Sequence, residues 1–293
     1  MTESQAPRKT LPRKTSRKTQ PKKTPRARVV LKLGGELLER PEDIARVAAG
    51  IARLAALAQL TVVHGGGKEI DAALALAGIP KRQVDGLRVT DEATLAVVVG
   101  VLAGSINTRL VAAVRRAGGR PVGLTGVDAE VAVMRRAKPI VSTEGDTVDL
   151  GLVGTPSGTA APALLLGLLK SGYVPVVACV GATARGDLLN VNADTLASHL
   201  AVGLGAVRLV VAGGTAGVLD GDGKTIERVS LADAARLVRQ GTANKGMVAK
   251  LQACRDAVRA GVGDVIIGNG REMDFGRLAD FKRVQGNCTQ VVR

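Results

Sequence analysis

The chain has 293 residues, 46% of them apolar, with three aromatics, no tryptophan and a net charge of +15. That length suffices for one large α/β domain or two lobes. A core built from Ala, Val, Leu and Gly suits helices packed on a parallel sheet. Cys179, Cys254 and Cys288 show neither a disulfide framework nor zinc-ligand spacing, so no protein metal site is expected, and they read as buried thiols of a cytoplasmic protein.

The first 28 residues carry ten Lys or Arg and one acid, Glu3. RKT recurs at 8–10, 13–15 and 17–19 and KKT follows at 22–24, so residues 1–27 read as a disordered basic tail. Either residues 8–28 make a weak polyanion contact or the tail is a solvated extension; it has no aromatic on which bases could stack. It also lacks the apolar stretch of a secretory signal.

Beyond the tail, strands and helices alternate. A strand over 29–33 ends at Gly34-Gly35. A helix over 41–58 opens on Pro41, Glu42 and Asp43, with Ile44, Val47, Ile51, Leu54 and Ala58 as its apolar stripe. A strand at 60–63 meets Gly65-Gly66-Gly67 and a helix at 68–78. Residues 84–91 read as an extended segment with Asp91 as N-cap of a long helix, 92–117, that stops at Gly118-Gly119. The apolar run at 95–104 within it falls short of the ~18–20 residues of a membrane span and continues into Ser105, Asn107 and Arg109, so it reads as a buried helix. Short strands and hairpins are expected over 121–155. A helix at 160–171, a strand at 174–178, a hairpin across Gly186-Asp187 and a helix at 193–204 follow. The chain ends with a strand at 207–211, helices at 231–240 and 246–260, and strands at 264–267 and 289–292. This order argues for a mostly parallel sheet covered on both faces.

Four stretches carry chemistry. TVVHGGGKEI runs from a strand through three glycines into a helix, a turn that exposes backbone N–H groups to an anion. It is neither a Walker sequence nor GxGxxG. KLGGELL repeats the logic, with Lys32 near the strand end. Ligands of open α/β sheets bind beyond the carboxyl ends of strands. If the two strands are neighbours, both glycine turns face one crevice with Lys32 at its floor. In LLNVNADTLASHL, Asn192 can cap a helix, with Asp194 in its first turn and Asn190 just outside. TANKGMVAKL places Lys250 one turn into a helix beyond Gly246. His64 and His199 read as packed residues.

Together KLGGELL, VVHGGGKEID, DGLRVTD, the LGLVG of 150–154, NVNAD and GMVAK resemble the amino acid kinase family over residues 28–293, and most closely its members that phosphorylate N-acetyl-L-glutamate. The resemblance implies an open three-layer αβα sandwich with a mainly parallel central sheet, with about 28–180 as acceptor-binding lobe and about 181–293 as ATP-binding lobe. It also implies transfer of the ATP γ-phosphoryl group to the side-chain carboxylate of N-acetyl-L-glutamate, a step in arginine biosynthesis, with Mg²⁺ travelling on the nucleotide. A carboxylate is already nucleophilic at neutral pH, so catalysis there is positioning and charge neutralisation. In that scheme Lys32 and Lys250 flank the moving group, Asp194 holds both lysines, and Gly65, Gly66, Arg88 and Asn190 bind the acceptor. Gly34, Gly35, Gly213, Gly214 and Gly246 line the phosphate and ATP side; Gly213-Gly214 stands where the family usually has a hydroxyl residue and an aspartate. Family members inhibited by arginine carry an extra amphipathic N-terminal helix. Leu11 is the one sizeable apolar residue before position 29, so an arginine-insensitive homodimer is expected. The competing readings are a kinase of carrier-linked aminoadipate or glutamate, and a non-catalytic binding protein with a polyanion-binding tail.

Overall fold

Val30, Leu31 and Leu33 are fully buried on one strand, whereas a strand facing solvent on one side would alternate. Both faces of the sheet that holds it are therefore covered. The computed structural model describes residues 26–142, 144–158, 162–239, 245–280 and 287–293; residues 1–25 of the basic tail lie outside them.

The elements in chain order are β1 (Arg28–Leu33), α1 (Pro41–Leu57), β2 (Gln59–His64), α2 (Gly67–Leu76), β3 (Gln83–Val84), β4 (Leu87–Arg88), α3 (Glu92–Val99) and α4 (Asn107–Arg116). Then come β5 (Pro121–Thr125), β6 (Met134–Arg136), β7 (Ile140–Val141), β8 (Thr147–Val148), β9 (Val153–Pro156), α5 (Ala163–Lys170), β10 (Val174–Ala178), β11 (Val180–Ala182) and β12 (Leu188–Val191). The chain continues through α6 (Ala193–Gly203), β13 (Arg208–Gly213), β14 (Arg228–Ser230), α7 (Leu231–Arg239), α8 (Lys245–Arg259), β15 (Asp264–Asn269) and β16 (Cys288–Val292).

Eight strands form the central sheet in the order β14-β16-β15-β13-β1-β2-β10-β5. All neighbours are parallel except β15 and β16. Strands before residue 179 make one half and strands after residue 207 the other, meeting where β1 lies beside β13. A smaller sheet, β11-β12-β9-β6, and the hairpins β3-β4 and β7-β8 stand apart from it. Helix α1 packs with α4, and α6 packs with α8 and over β1, giving an open αβα sandwich.

Most expected elements are present with ends moved by one to three residues, and two differ in kind. The extended segment 84–91 is the β3-β4 hairpin, turned through Asp85 (φ 49°) and Gly86 (φ 82°), both of positive φ as a type I′ turn demands. The helix expected over 92–117 is interrupted by a π-helical turn at Gly100–Ile106. The short strand β14 was not anticipated. The long helix Glu92–Arg116 is, among the described residues, the one long and apolar enough to span a membrane by length and composition. Its Val98, Leu102, Ile106, Leu110 and Val114 lie in the protein core.

Arg208 is the largest fully buried side chain. Its guanidinium pairs with Asp264 and donates to the carbonyls of Leu278 (2.5 Å) and Asp280 (3.1 Å). Asp264 also accepts from Gln290 Nε2 at 3.0 Å, so one carboxylate ties β13, β15 and β16 together. Removing one member of a buried pair leaves an uncompensated charge, at a cost of about 3–5 kcal/mol. Asp264→Ala is expected to lose stability on that scale in urea unfolding.

Candidate active site

The two glycine turns do share one crevice. β1 and β2 are adjacent, with Lys32 opposite Val63 and Leu33 opposite His64. At Gly35 the two turns touch: a Cβ there would stand 2.8 Å from Gly66 Cα and 3.0 Å from Gly67 N, so no larger residue fits. The turn amides fall into two sets. Gly34 N–H is spent on Ala212 O (2.8 Å) and Gly65 N–H on Leu33 O (3.1 Å), which stitches each turn to a neighbouring strand. Among the described residues the N–H groups of Gly35, Gly66 and Gly67 have no acceptor. Those three are free for an anion at the N-terminus of α2.

Lys32 lies in the floor, almost fully buried, with Nζ 2.8 Å from Asp194 Oδ1. Asp194 is presented by the first turn of α6, whose cap is Asn192: its Oδ1 accepts from Asp194 N (2.9 Å) and Thr195 N (3.1 Å). Burial opposes the charge on Lys32, but the adjacent Asp194 outweighs it, with a smaller push from Glu36, and the net shift is upward from 10.5. The ammonium is therefore held charged.

Lys250 enters from α8, half-buried, with Cε 3.8 Å from where a Cβ on Gly213 would stand. It thus lies over the end of β13. The sequence scheme gave both lysines to Asp194; the ion pair joins Asp194 to Lys32, and Lys250 has no carboxylate within 4 Å among the described residues. The three groups do lie within electrostatic reach of Cys254, a buried thiol pushed up chiefly by desolvation. Gly246 is exposed at the second position of α8, and residues 240–244 before it lie outside the described residues.

Arg88 and Asn190 are linked through Thr90, a residue the sequence pattern alone does not single out. Asn190 Nδ2 donates to Thr90 Oγ1 (3.1 Å), and that hydroxyl donates to Arg88 O (3.2 Å). Arg88 lies across the glycine turn, with Nη2 on Asp71 and on Gly67 O (3.4 Å). Its Nη1 is buried without a hydrogen-bond partner among the described residues, an orphaned donor that a ligand carboxylate would satisfy. Thr90 sits two residues beyond Arg88 in DGLRVTD, so its alternation with Arg88 along the chain was the available signal.

Glu36 was also missed. Its Oε1 accepts from Gly214 N at 2.7 Å, and Arg271 Nη2 donates to its carbonyl at 2.7 Å. A carboxylate therefore rests on the Gly213-Gly214 turn, where the chain itself has no acidic residue. His199 is half-buried on α6, its pKa lowered by desolvation.

A charged ammonium beneath free amides, with a vacant guanidinium donor alongside, defines a crevice that handles anionic groups at the carboxyl end of an open α/β sheet. The chain belongs to the amino acid kinase family, whose model matches residues 27–269. It is 42% identical over 249 residues to an acetylglutamate kinase of Parvibaculum lavamentivorans, covering 83% of this chain and 81% of that one. It is 44% identical over 243 residues to an acetylglutamate kinase of Methanopyrus kandleri, covering 82% and 94%. Among solved structures it matches an N-acetylglutamate synthase from Neisseria gonorrhoeae complexed with coenzyme A and N-acetyl-glutamate (TM-score 0.76, 26% identity, 91% of this chain). The chain spans 59% of that synthase's length. A Giardia carbamate kinase shares the fold at TM-score 0.65 and 14% identity, covering 92% of this chain and 99% of that one.

Asp194→Asn is expected to reverse the balance on Lys32, because desolvation then acts without its counter-charge. By NMR of ¹³Cε-labelled lysine, Lys32 of the wild type should stay protonated beyond 10.5, and in the variant it should lose its proton below that value. The stabilisation from this charge is complete below the unfolded lysine pKa and is lost as pH rises through the raised folded value.

Proposed function

We propose that this protein transfers the γ-phosphoryl group of ATP to the side-chain carboxylate of N-acetyl-L-glutamate, giving N-acetylglutamyl 5-phosphate for arginine biosynthesis in the cytoplasm. The observation that carries the site assignment is the Lys32 ammonium, braced by Asp194, beneath two touching glycine turns with free N–H groups. The acetylglutamate kinases it resembles support the substrate.

A carboxylate oxygen attacks the γ-phosphorus, the bond to the β–γ bridging oxygen breaks, and ADP leaves. Both reactants are anions, so the chain's work is to bring them together and to balance charge. In this reading Lys32 and Lys250 each supply a positive charge to the moving group. The amides of Gly35, Gly66 and Gly67 offer hydrogen bonds to phosphoryl oxygens. Arg88 Nη1 and the second Nδ2 hydrogen of Asn190 offer donors for the acceptor's α-carboxylate, for which guanidinium is better shaped than ammonium. Gly213, Gly214 and Gly246 fall on the nucleotide side.

His, Cys, Asp and Glu side chains do not converge in threes among the described residues, so Mg²⁺ in this reading is carried by ATP phosphates and water. Residues about 28–180 hold the acceptor and about 181–293 the nucleotide. The same reading makes the protein a homodimer.

Hydroxylamine traps acyl phosphates as coloured hydroxamates. With ATP and Mg²⁺, product is expected with N-acetyl-L-glutamate and not with glutamate; product only with a carrier-linked acid, or with none, would overturn the assignment. Lys32→Ala and Lys250→Ala are each expected to lower kcat by about 10²–10³, the scale of one preorganised charge-stabilising donor. Near-wild-type turnover in either variant would remove that lysine from the mechanism.

A further inference from the structure

His64 precedes the triple glycine and is fully buried, yet it is the polar centre of a network that ends in the crevice. Its Nε2 lies 3.0 Å from Asn107 Nδ2, and the same nitrogen donates to Val176 O at 2.9 Å. An amide nitrogen has two hydrogens, so one goes to the strand carbonyl and the other to the ring. Nε2 must then be the acceptor, and the imidazole proton is on Nδ1. That N–H faces Gly65 O at 3.2 Å. The carbonyl of His64 itself is held by the Cys179 thiol at 3.0 Å.

The Gly65 carbonyl belongs to the peptide unit whose N–H is that of Gly66. In a planar trans peptide the two point in opposite directions. Drawing Gly65 O into the protein toward the ring therefore turns the Gly66 N–H outward, to the side where it abuts Gly35. The π-helical turn supplies the rest of the support. A Cβ at Gly66 would come within 2.1 Å of Ile106 Cδ1 and 3.0 Å of Leu102 Cδ2, so both side chains press on Gly66 Cα. Asn107 is the next residue after that turn. A π-turn inserts one extra residue into a helix and changes what faces the sheet; here it brings Ile106 and Asn107 to the glycine turn together.

We infer that His64 and Asn107 are positioning residues: Asn107 fixes the tautomer of His64, and His64 fixes the Gly65–Gly66 peptide so that its N–H meets the transferring phosphoryl group. The inference rests on the phosphotransfer reading of the crevice. Burial also pushes the ring down to about 4, against a smaller upward pull from the Gly65 carbonyl, so it stays neutral and keeps its acceptor nitrogen at physiological pH. His64 exchanges no proton with substrate; it acts through the amide it aims.

Two isosteric replacements separate this role from simple packing. The amide nitrogen of His64→Asn can stand at the place of Nδ1 and keep a donor for Gly65 O. The amide oxygen of His64→Gln reaches the place of Nε2 and accepts from Asn107, which leaves Gly65 O without its donor. His64→Asn is expected to hold kcat within about threefold of wild type. His64→Gln is expected to lose about 10- to 100-fold in kcat, as a misplaced reacting geometry would, with KM for both substrates little changed. Equal kcat in the two variants would overturn the inference. Imidazole ¹⁵N NMR of the wild type gives an answer independent of turnover: a neutral Nδ1–H ring is expected, and an Nε2–H ring would overturn it. If the wild type forms no hydroxamate with any acid, the reaction assignment fails. The ring tautomer, and a Gly66 amide ¹⁵N shift that moves in His64→Gln and not in His64→Asn, would still decide the brace.

Discussion

A lysine ammonium near the end of a buried parallel strand is intolerable alone, because desolvation would strip its proton. Here the charge persists since α6 delivers the Asp194 carboxylate to within 2.8 Å of it. That geometry depends in turn on a cap: Asn192 satisfies the first amides of α6 and so fixes where the helix starts. One side chain thus sets the register of a helix, the helix sets the position of an acid, and the acid keeps a cation charged in the floor of the crevice. A buried pair of this kind is weak evidence for stability. Its value lies in holding charge at a defined place with nothing left to reorganise when an anion arrives.

The glycine turns solve a complementary problem. Phosphoryl oxygens need donors that are close, fixed and unshared. A side chain at Gly35 or Gly66 would collide with the opposite turn or with Ile106. The turns use two of their five glycine amides to anchor themselves to β1 and β13 and leave the other three without an acceptor among the described residues. Unpaired amides on a mobile loop would simply hydrate. Backed by a packed helix and a buried imidazole, they stay aimed.

Much of this was legible from residues alone. Strand and helix order followed from β-branched runs and 3.6-residue periodicity, and Asn192 and Asp91 cap the helices at which they were placed. Lys32, Arg88, Asn190 and Asp194 fall around one crevice because the glycine pairs end adjacent strands. What escaped was of two kinds. The π-turn at Gly100–Ile106 was invisible because an apolar run such as LAVVVGVLAG has no polar phase from which a shift of one residue could be read. Thr90, Asp71 and Glu36 escaped because their roles are defined by partners 17 to 178 positions away. His64 was read correctly as packed, but packing and positioning differ only in what the ring's two nitrogens touch.

The Gly213-Gly214 turn has no acidic residue of its own, yet a carboxylate rests on it. Glu36 leaves the turn after β1 and reaches the amide of Gly214 from the adjacent strand end, while Arg271 secures its backbone. Proximity in a parallel sheet is set by strand order rather than by sequence. β1 and β13 are neighbours although more than 170 residues separate them, so either strand end can furnish a group to the space above both. A turn without an acidic residue can therefore carry a carboxylate supplied by the adjoining strand end. Charge at the carboxyl edge of such a sheet is a property of the edge, not of any one turn along it.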